Sequence, residues 1–307
     1  MLSWRQAVLL GLGLLAGAAA ARQGPGRLRW SAAYLREAAV LSGLYAAWQL
    51  LLGRLVTGTR GAVGRGRWIA HLEHDLHVPS EAWFQRPFLH HPVLGRAADV
   101  YYGAAHFTVM GLFLAWLFTR HRDRYPRARA QLVLVTLAAA LIQALPVAPP
   151  RLVPGLGVLD LARHFGQSVY APGGLSDPGQ LIAMPSVHVA WAAVVALSTL
   201  TATRSPGRWL GPLHLAVTGA VVVGTGNHWW MDGAASVVLL AVAAAGVSRS
   251  WRAPAGATRS PSGAPSLPRL LLPRSRSRST RPGDAAPPGG RRSSRPAPAW
   301  PGPDRRT

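Results

Sequence analysis

Three side chains set the chemistry that this sequence can support: His188, His228 and Asp232. His228 and Asp232 stand four positions apart, which on a helix puts them on one face. A carboxylate there can fix the imidazole tautomer and leave the other ring nitrogen free to attack, as in a catalytic triad. His188 closes the run Met184-Pro185-Ser186-Val187-His188, which reads as a helix start. Proline is tolerated where the N–H has no partner, and Ser186 can cap the first turn. Free N–H groups and the positive end of the dipole make such a start an anion site. Two histidines, one nucleophile and one acid, suit the transfer of a phosphoryl group. Taken singly these features are ordinary, since both a His-x3-Asp pair and a Pro-Ser cap occur without function. The combination points to chemistry, joined upstream by Arg151 in Ala148-Pro149-Pro150-Arg151. Arginine forks onto a phosphate, and the two prolines stiffen its approach.

These residues meet only if the chain folds back on itself. Residues 189–203 and 210–223 are apolar and are joined by a short basic turn at 204–208. Two helices joined this way return to the membrane face they left, which brings His188 and His228 to one surface. Apolar residues make up 49% of the chain and charged residues 14%, a balance that suits a membrane protein with a polar tail. The expected fold is all-α, a polytopic membrane helix bundle. Its six core transmembrane segments fall near 35–56, 98–118, 130–147, 187–203, 210–226 and 229–247, each about as long as a bilayer requires. Residues 1–30 form an N-terminal apolar segment, either signal-like or an extra membrane segment, and the reading favours an uncleaved one. Residues 31–248 form the membrane-embedded catalytic domain, and 249–307 form a disordered tail rich in Pro, Ser and Arg. The net charge of +22 comes wholly from arginine, and the arginine-rich turns at 120–129 and 204–208 share a side with the tail. That side is expected to be the cytoplasm of a cell membrane protein, with the histidines facing outward.

With these motifs assembled, the chain resembles the type-2 phosphatidic acid phosphatase superfamily. It looks most like its inositolphosphotransferase branch, which includes inositol phosphorylceramide synthase-type proteins. That resemblance implies a phosphohistidine intermediate, with His228 as nucleophile, Asp232 as its orienting carboxylate and His188 as the acid for the leaving group. Ser186 and Arg151 would hold the phosphate. Where the superfamily has Ser-Arg ahead of the nucleophile, this chain has Val221 and Val222, and it contains no lysine for the usual first motif. Pro-Pro-Arg and Asn-His are at home in the inositolphosphotransferase branch. The resemblance spans roughly residues 35–247.

Other positions carry weaker signals. His106 lies within a membrane segment with Tyr102 one turn before it, so the pair reads either as a hydrogen-bonded structural pair or as part of the substrate cavity. A Tyr-x3-His pattern in the related branch favours the cavity. Residues 152–181 form a long Gly/Pro-rich loop, in which Asp160, His164, Gln167 and Tyr170 could line a headgroup or acceptor pocket. Between 57 and 97 the chain reads as an amphipathic segment on the membrane surface, with Trp68, Ile69, Leu72, Leu76 and Val78 as its apolar face. His71, His74 and His77 within it invite a metal reading, but steps of three wander around a helix, and a solvated face is preferred. Glu73 could contact a headgroup. Trp229 and Trp230 read as interfacial anchors. The absence of cysteine excludes disulfides, thiolate nucleophiles and Cys-ligated metal sites.

The resulting expectation is a lipid-phosphate phosphatase or phosphotransferase with no cofactor and no metal. Its partners are the membrane, a lipid phosphate and an acceptor alcohol such as inositol, and nucleic acid is not among them. Two other classes compete: a transporter with a histidine proton relay, and a non-catalytic binder of lipid phosphates.

Overall fold

The computed structural model describes residues 3–167 and 177–251. Tyr170 and the glycines at 173–174 lie outside the described residues, as does the tail from 252 onward. The chain divides into two units, Met1–Pro254 and Ala255–Thr307. Among the described residues the first unit is all-helical, its one β-type pairing being an isolated parallel bridge between Val147 and Ile182.

Among the described residues ten α-helices follow in order: α1 (Trp4–Gln23), α2 (Gly26–Leu55), α3 (Ala62–Asp75), α4 (Glu81–His90), α5 (Pro92–Arg120), α6 (Tyr125–Gln143), α7 (Leu161–His164), α8 (Val187–Ala202), α9 (Leu210–Gly224) and α10 (Trp230–Trp251). α1 and α2 form an antiparallel hairpin whose seam is built of small residues, Ala7, Gly11 and Ala18 against Ala32, Ala39 and Ala46. A Cβ on Gly11 would lie 3.5 Å from the Ala39 carbonyl, and the Ser42 hydroxyl donates to the Ala7 carbonyl at 2.8 Å. Close backbone approach with an interhelical hydrogen bond is how helices associate where there is little water to expel. α2 is fastened to α6 by Glu37, which accepts from the Tyr125 hydroxyl at 2.8 Å and pairs with Arg129.

Four of these helices are long and apolar enough to cross a membrane: Trp4–Gln23, Ser31–Leu55, Pro92–Arg120 and Trp230–Arg249. α8 is a shorter apolar helix. Of the six expected core crossings, then, three meet that length and composition, and the N-terminal segment supplies the fourth. α6 carries Arg127 and Arg129 in its first two turns, and α9 spans only 15 residues.

The main core lies where α5, α6, α8 and α10 meet, with Phe113, Leu117, Val135, Val194 and Leu240 buried together. A second core lies under α3, built of Ile69, Val147, Leu181 and Trp229. α3 corrects the amphipathic reading. It buries Ala62, Gly66, Ile69 and Glu73 and leaves Trp68 and Leu76 exposed. Gly66 decides this face, because a Cβ there would lie 2.8 Å from Val153 and 2.9 Å from the Ala148 carbonyl. Trp229 is likewise no interfacial anchor. It is fully buried, and its indole N–H donates to the Ala148 carbonyl at 3.0 Å. Tyr101 pins α5 to α9 through His214 Nδ1 (2.6 Å) and Thr218 (2.9 Å).

Candidate active site

Four stretches of chain deliver the site. α8 begins at Val187 with Ser186 as its cap, the Ser186 hydroxyl accepting from the Val189 N–H. α9 ends in a Schellman motif. The Gly226 N–H donates to the Val223 carbonyl and the Asn227 N–H to the Val222 carbonyl, and Gly226 adopts φ +74°. A residue with a side chain would be strained there, and its Cβ would meet the Leu159 carbonyl at 2.9 Å. That turn throws Asn227 and His228 back over the start of α8. The third stretch is the bridge at Val147 and Ile182, where Val147 donates to Leu181 and Ala183 donates to Val147. It carries Arg151 alongside the approach to His188. The fourth is α5, which contributes Tyr102 and His106.

His228 and Asp232 meet in a way that the helical spacing did not anticipate. α10 starts at Trp230, so His228 sits in the turn before it. Asp232, in the first turn, folds back and accepts from the Trp229 N–H at 2.9 Å and from His228 Nδ1 at 3.2 Å. This is the reach-back half of a capping box, with the carboxylate at N3 serving the N-cap amide. His228 Nδ1 has a second acceptor, the Ala183 carbonyl at 2.8 Å. A carbonyl can only accept, so Nδ1 carries the hydrogen, and in the neutral ring Nε2 keeps its lone pair. Asp232 is fully buried and His228 nearly so.

A cavity of about 640 Å³ opens beside His228, lined also by His188, Arg151, Asn227, Tyr102 and His106. The His188 ring stands 5.9 Å from that of His228, edge-on, and its Nε2 has no hydrogen-bond partner in the protein. Tyr102 stacks on His188 at 4.4 Å, and His106 packs against it at 4.2 Å. Arg151 is aimed by Asn227, whose side-chain oxygen accepts from Arg151 Nε at 2.8 Å, and by Asp160 at 3.4 Å. Among the described residues lining the cavity, Arg151 is the one permanent cation. Val221 and Val222 are buried within α9 and supply no charge.

The structure thus brings His188, His228, Asp232, Arg151, Tyr102 and His106 together. It does not bring in the Ser186 side chain, which is fully buried as the α8 cap; the neighbouring Val187 lines the cavity instead. Of the loop residues, Asp160 serves Arg151, while His164 is exposed and, like Gln167, lies outside the cavity lining. Gln180 does line it and accepts from Arg151 at 3.3 Å.

Two further residues, Gln85 and Gln143, escaped the sequence reading, and a third, Glu73, was read only as a headgroup contact. Gln85, fully buried on α4, donates to the carbonyls of Leu159 and Gly224 and accepts from the Leu159 N–H, so it ties the Arg151 loop to the end of α9. Gln143 donates to the Pro185 carbonyl at 3.0 Å and so holds the strand of chain entering α8. Glu73, buried on α3, accepts from the Met231 N–H at 2.7 Å and occupies the free amide end of α10 beside Asp232. None of these contacts has a local spacing signature; a buried polar residue with a backbone partner far along the chain shows only in the fold.

Burial pushes the Glu73 carboxyl up to about 9, helped by its hydrogen bond with Glu81 and opposed by the Met231 amide. A carboxyl raised from its ordinary value of 4.5 binds its proton more tightly folded than unfolded. Its contribution to stability is therefore complete below pH 4.5 and is lost as pH rises toward about 9. Melting temperature in detergent should fall across that window, and Glu73→Gln, which keeps the neutral form at every pH, should flatten the slope. An unchanged slope in the variant would remove Glu73 from this account.

The profile of the PAP2 superfamily matches residues 67–246. No curated protein and no solved structure matches the chain. The matched span covers more than half of the sequence and includes His228, Asp232, His188 and Arg151, and on that ground the chain belongs to the PAP2 superfamily.

Proposed function

We propose that this protein is an integral membrane enzyme that cleaves a lipid phosphate ester through a phosphohistidine on His228. It then passes the phosphoryl group to water or, as in the inositolphosphotransferase branch, to an acceptor alcohol. PAP2 superfamily members are phosphoric ester hydrolases, and the apolar helices suit a membrane phosphatase-type enzyme. One observation carries the reading: His228 Nδ1 is held by Ala183 and Asp232 while the ring lines a cavity shared with His188 and Arg151.

The steps follow from that geometry. The Nε2 lone pair of His228 attacks phosphorus, and the bond from phosphorus to the leaving alcohol breaks. His188 gives its proton to the departing oxygen. Asp232 stabilises the cationic ring as the P–N bond forms. Arg151 and the backbone N–H of Val187 at the α8 start hold the phosphoryl oxygens. Water or an alcohol then attacks from the vacated side, His188 takes its proton, and the P–N bond breaks. A single cavity guanidinium suits a singly charged phosphodiester better than a dianionic monoester, and this favours the transferase form.

Six crossings place the cavity at one membrane face, with α6 and α9 completing the core. The turn at 120–129 lies at the far ends of α5 and α6 from that cavity and the turn at 204–208 at the far ends of α8 and α9, and their arginines favour the cytoplasm for that side. The active site then faces outward across the cell membrane, with the tail inside. The convergence of the ionisable groups on one cavity, rather than along a path through the bilayer, supports an enzyme over a transporter.

Phosphate release from phosphatidic acid, a polyprenyl phosphate, a polyprenyl diphosphate and a phosphoinositide, with and without inositol, tests the reading beside His228→Ala. Release or transfer that disappears in the variant supports it. Binding without turnover of any of them would favour the non-catalytic alternative. The protein residues supply nucleophile, acid and cation, so activity should persist in EDTA; loss that zinc or magnesium restores would contradict the stepwise scheme above.

A further inference from the structure

A second cavity, of about 300 Å³, continues from the first into the membrane-spanning part of the bundle. It lies between α2, α5 and α6 and is walled by Leu41, Leu44, Met110, Gly111, Leu132 and Leu137. Three aromatic residues line both cavities: Trp48, Phe107 and Trp191. Their rings form an unbroken path from the catalytic end. His106 stands 4.2 Å from His188 and 4.0 Å from Phe107, Phe107 is 5.7 Å from Trp191, and Trp191 is 6.4 Å from Trp48.

The polarity changes along that path as a lipid's does. The first cavity holds the histidines and Arg151. In the second, the polar groups are turned away or occupied: the Trp191 N–H donates to Thr136 at 2.9 Å, and Tyr45 hydrogen-bonds Gln49. At the junction, Trp48 Nε1 is buried without a hydrogen-bond partner. A buried donor left unmatched is costly unless a ligand supplies the acceptor. Leu44 and Leu137 are exposed at the lip of the groove, on helix faces that meet lipid.

We infer that this groove holds one hydrocarbon chain of the lipid phosphate substrate, with Trp48 donating to an oxygen of the linker between chain and phosphate. The inference rests on the proposed function and adds a substrate determinant to it. α2, which forms one wall, lies outside the residues matched to the superfamily, so the chain preference set here is a property of this protein's own N-terminal hairpin. A chain that leaves bilayer or micelle is already out of water, so the length of the groove and its packing, rather than hydrophobic transfer, set the preference.

Gly111 provides the test. A Cβ there would meet no atom within 4 Å, so a larger side chain can grow into the groove without striking backbone. Replacing a glycine inside a helix also favours the helix. Gly111→Leu should move the optimum of kcat/KM to shorter chains by several methylenes, so that the ratio of short-chain to long-chain kcat/KM rises. Trp48→Phe should raise KM for all chain lengths without moving the optimum. In parallel, a phosphatidic acid carrying a diazirine at one chain end is photolysed on His228→Ala protein, which needs no turnover. Label should appear on α2 and α6 at Leu41, Leu44, Leu132 or Leu137 and disappear in the Gly111→Leu form. Labelling elsewhere, or labelling indifferent to Gly111→Leu, overturns the groove. A chain-length profile that Gly111→Leu leaves unchanged does the same, while His228-dependent turnover would leave the enzyme reading standing. Groove labelling with no turnover of any lipid would do the reverse.

Discussion

His228→Ala is expected to lower turnover by about 10⁵–10⁶-fold, to the floor of the assay, as removal of a covalent nucleophile does elsewhere. The size of the effect follows from what surrounds the ring. His228 is the one histidine at the cavity whose Nδ1 is held by both a carboxylate and a carbonyl, Asp232 at 3.2 Å and Ala183 at 2.8 Å. His188, 5.9 Å away between ring centres, packs against Tyr102 and His106 and has no carboxylate to stabilise a positive ring. It cannot take over the attack. Because Ala183 and Asp232 would both lose a donor, His228→Asn serves as the folded comparison: its amide can still donate to one of them. Both variants should melt as cooperative membrane proteins and both should be inactive. Activity within tenfold of the native protein in either one would place the nucleophile elsewhere.

Asp232→Asn should lower kcat by about 10³-fold while leaving the melting temperature within a few degrees. In a triad whose imidazole depends on a single carboxylate, the same change costs about 10⁴-fold, because the amide selects the wrong tautomer. Here the Ala183 carbonyl continues to accept from Nδ1 and preserves the tautomer, so the remaining loss is that of the charge that stabilises the phosphorylated ring. Folding should survive, since the asparagine oxygen can still accept from the Trp229 N–H, and removing a fully buried charge carries its own compensation. Steady-state kinetics with the best substrate, together with thermal melts, check both halves. A loss smaller than tenfold would reduce Asp232 to a helix cap.

Which residues gather at the cavity was legible in good part because their types are rare in such surroundings. Histidines and an arginine bordering apolar segments stand out against a chain with few charges, and the alternation of segments brings 188 and 228 to one face. The manner of contact was not legible. The spacing of His228 and Asp232 suggested two positions on one helix face, whereas the pairing depends on a Gly226 turn and a carboxylate that caps the helix behind it. Trp229 shows the same limit. A tryptophan at the end of an apolar segment reads as an anchor, but the glycine at 66 lets α3 close over it, and that choice lies 163 positions upstream. Glu73 and Leu76 exchanged their expected environments for the same reason: a tertiary contact, Met231 on Glu73, outweighed the hydrophobic pattern of an isolated helix. The all-helical class was legible, whereas the count of six crossings was not: among the described residues four helices are long and apolar enough to cross, and α6, α8 and α9 are not among them.

The measurement that bears most directly on the central claim is the capture of the covalent intermediate. Purified protein would be mixed with a lipid phosphate labelled at phosphorus, quenched within milliseconds in alkali, and digested for peptide mapping. The account predicts label that is stable to alkali and labile to acid, carried by the peptide containing His228 and absent from His228→Ala. It should persist longer in His188→Ala, because that residue also takes the proton of the attacking water. Turnover without any labelled protein, or label on His188, would contradict it.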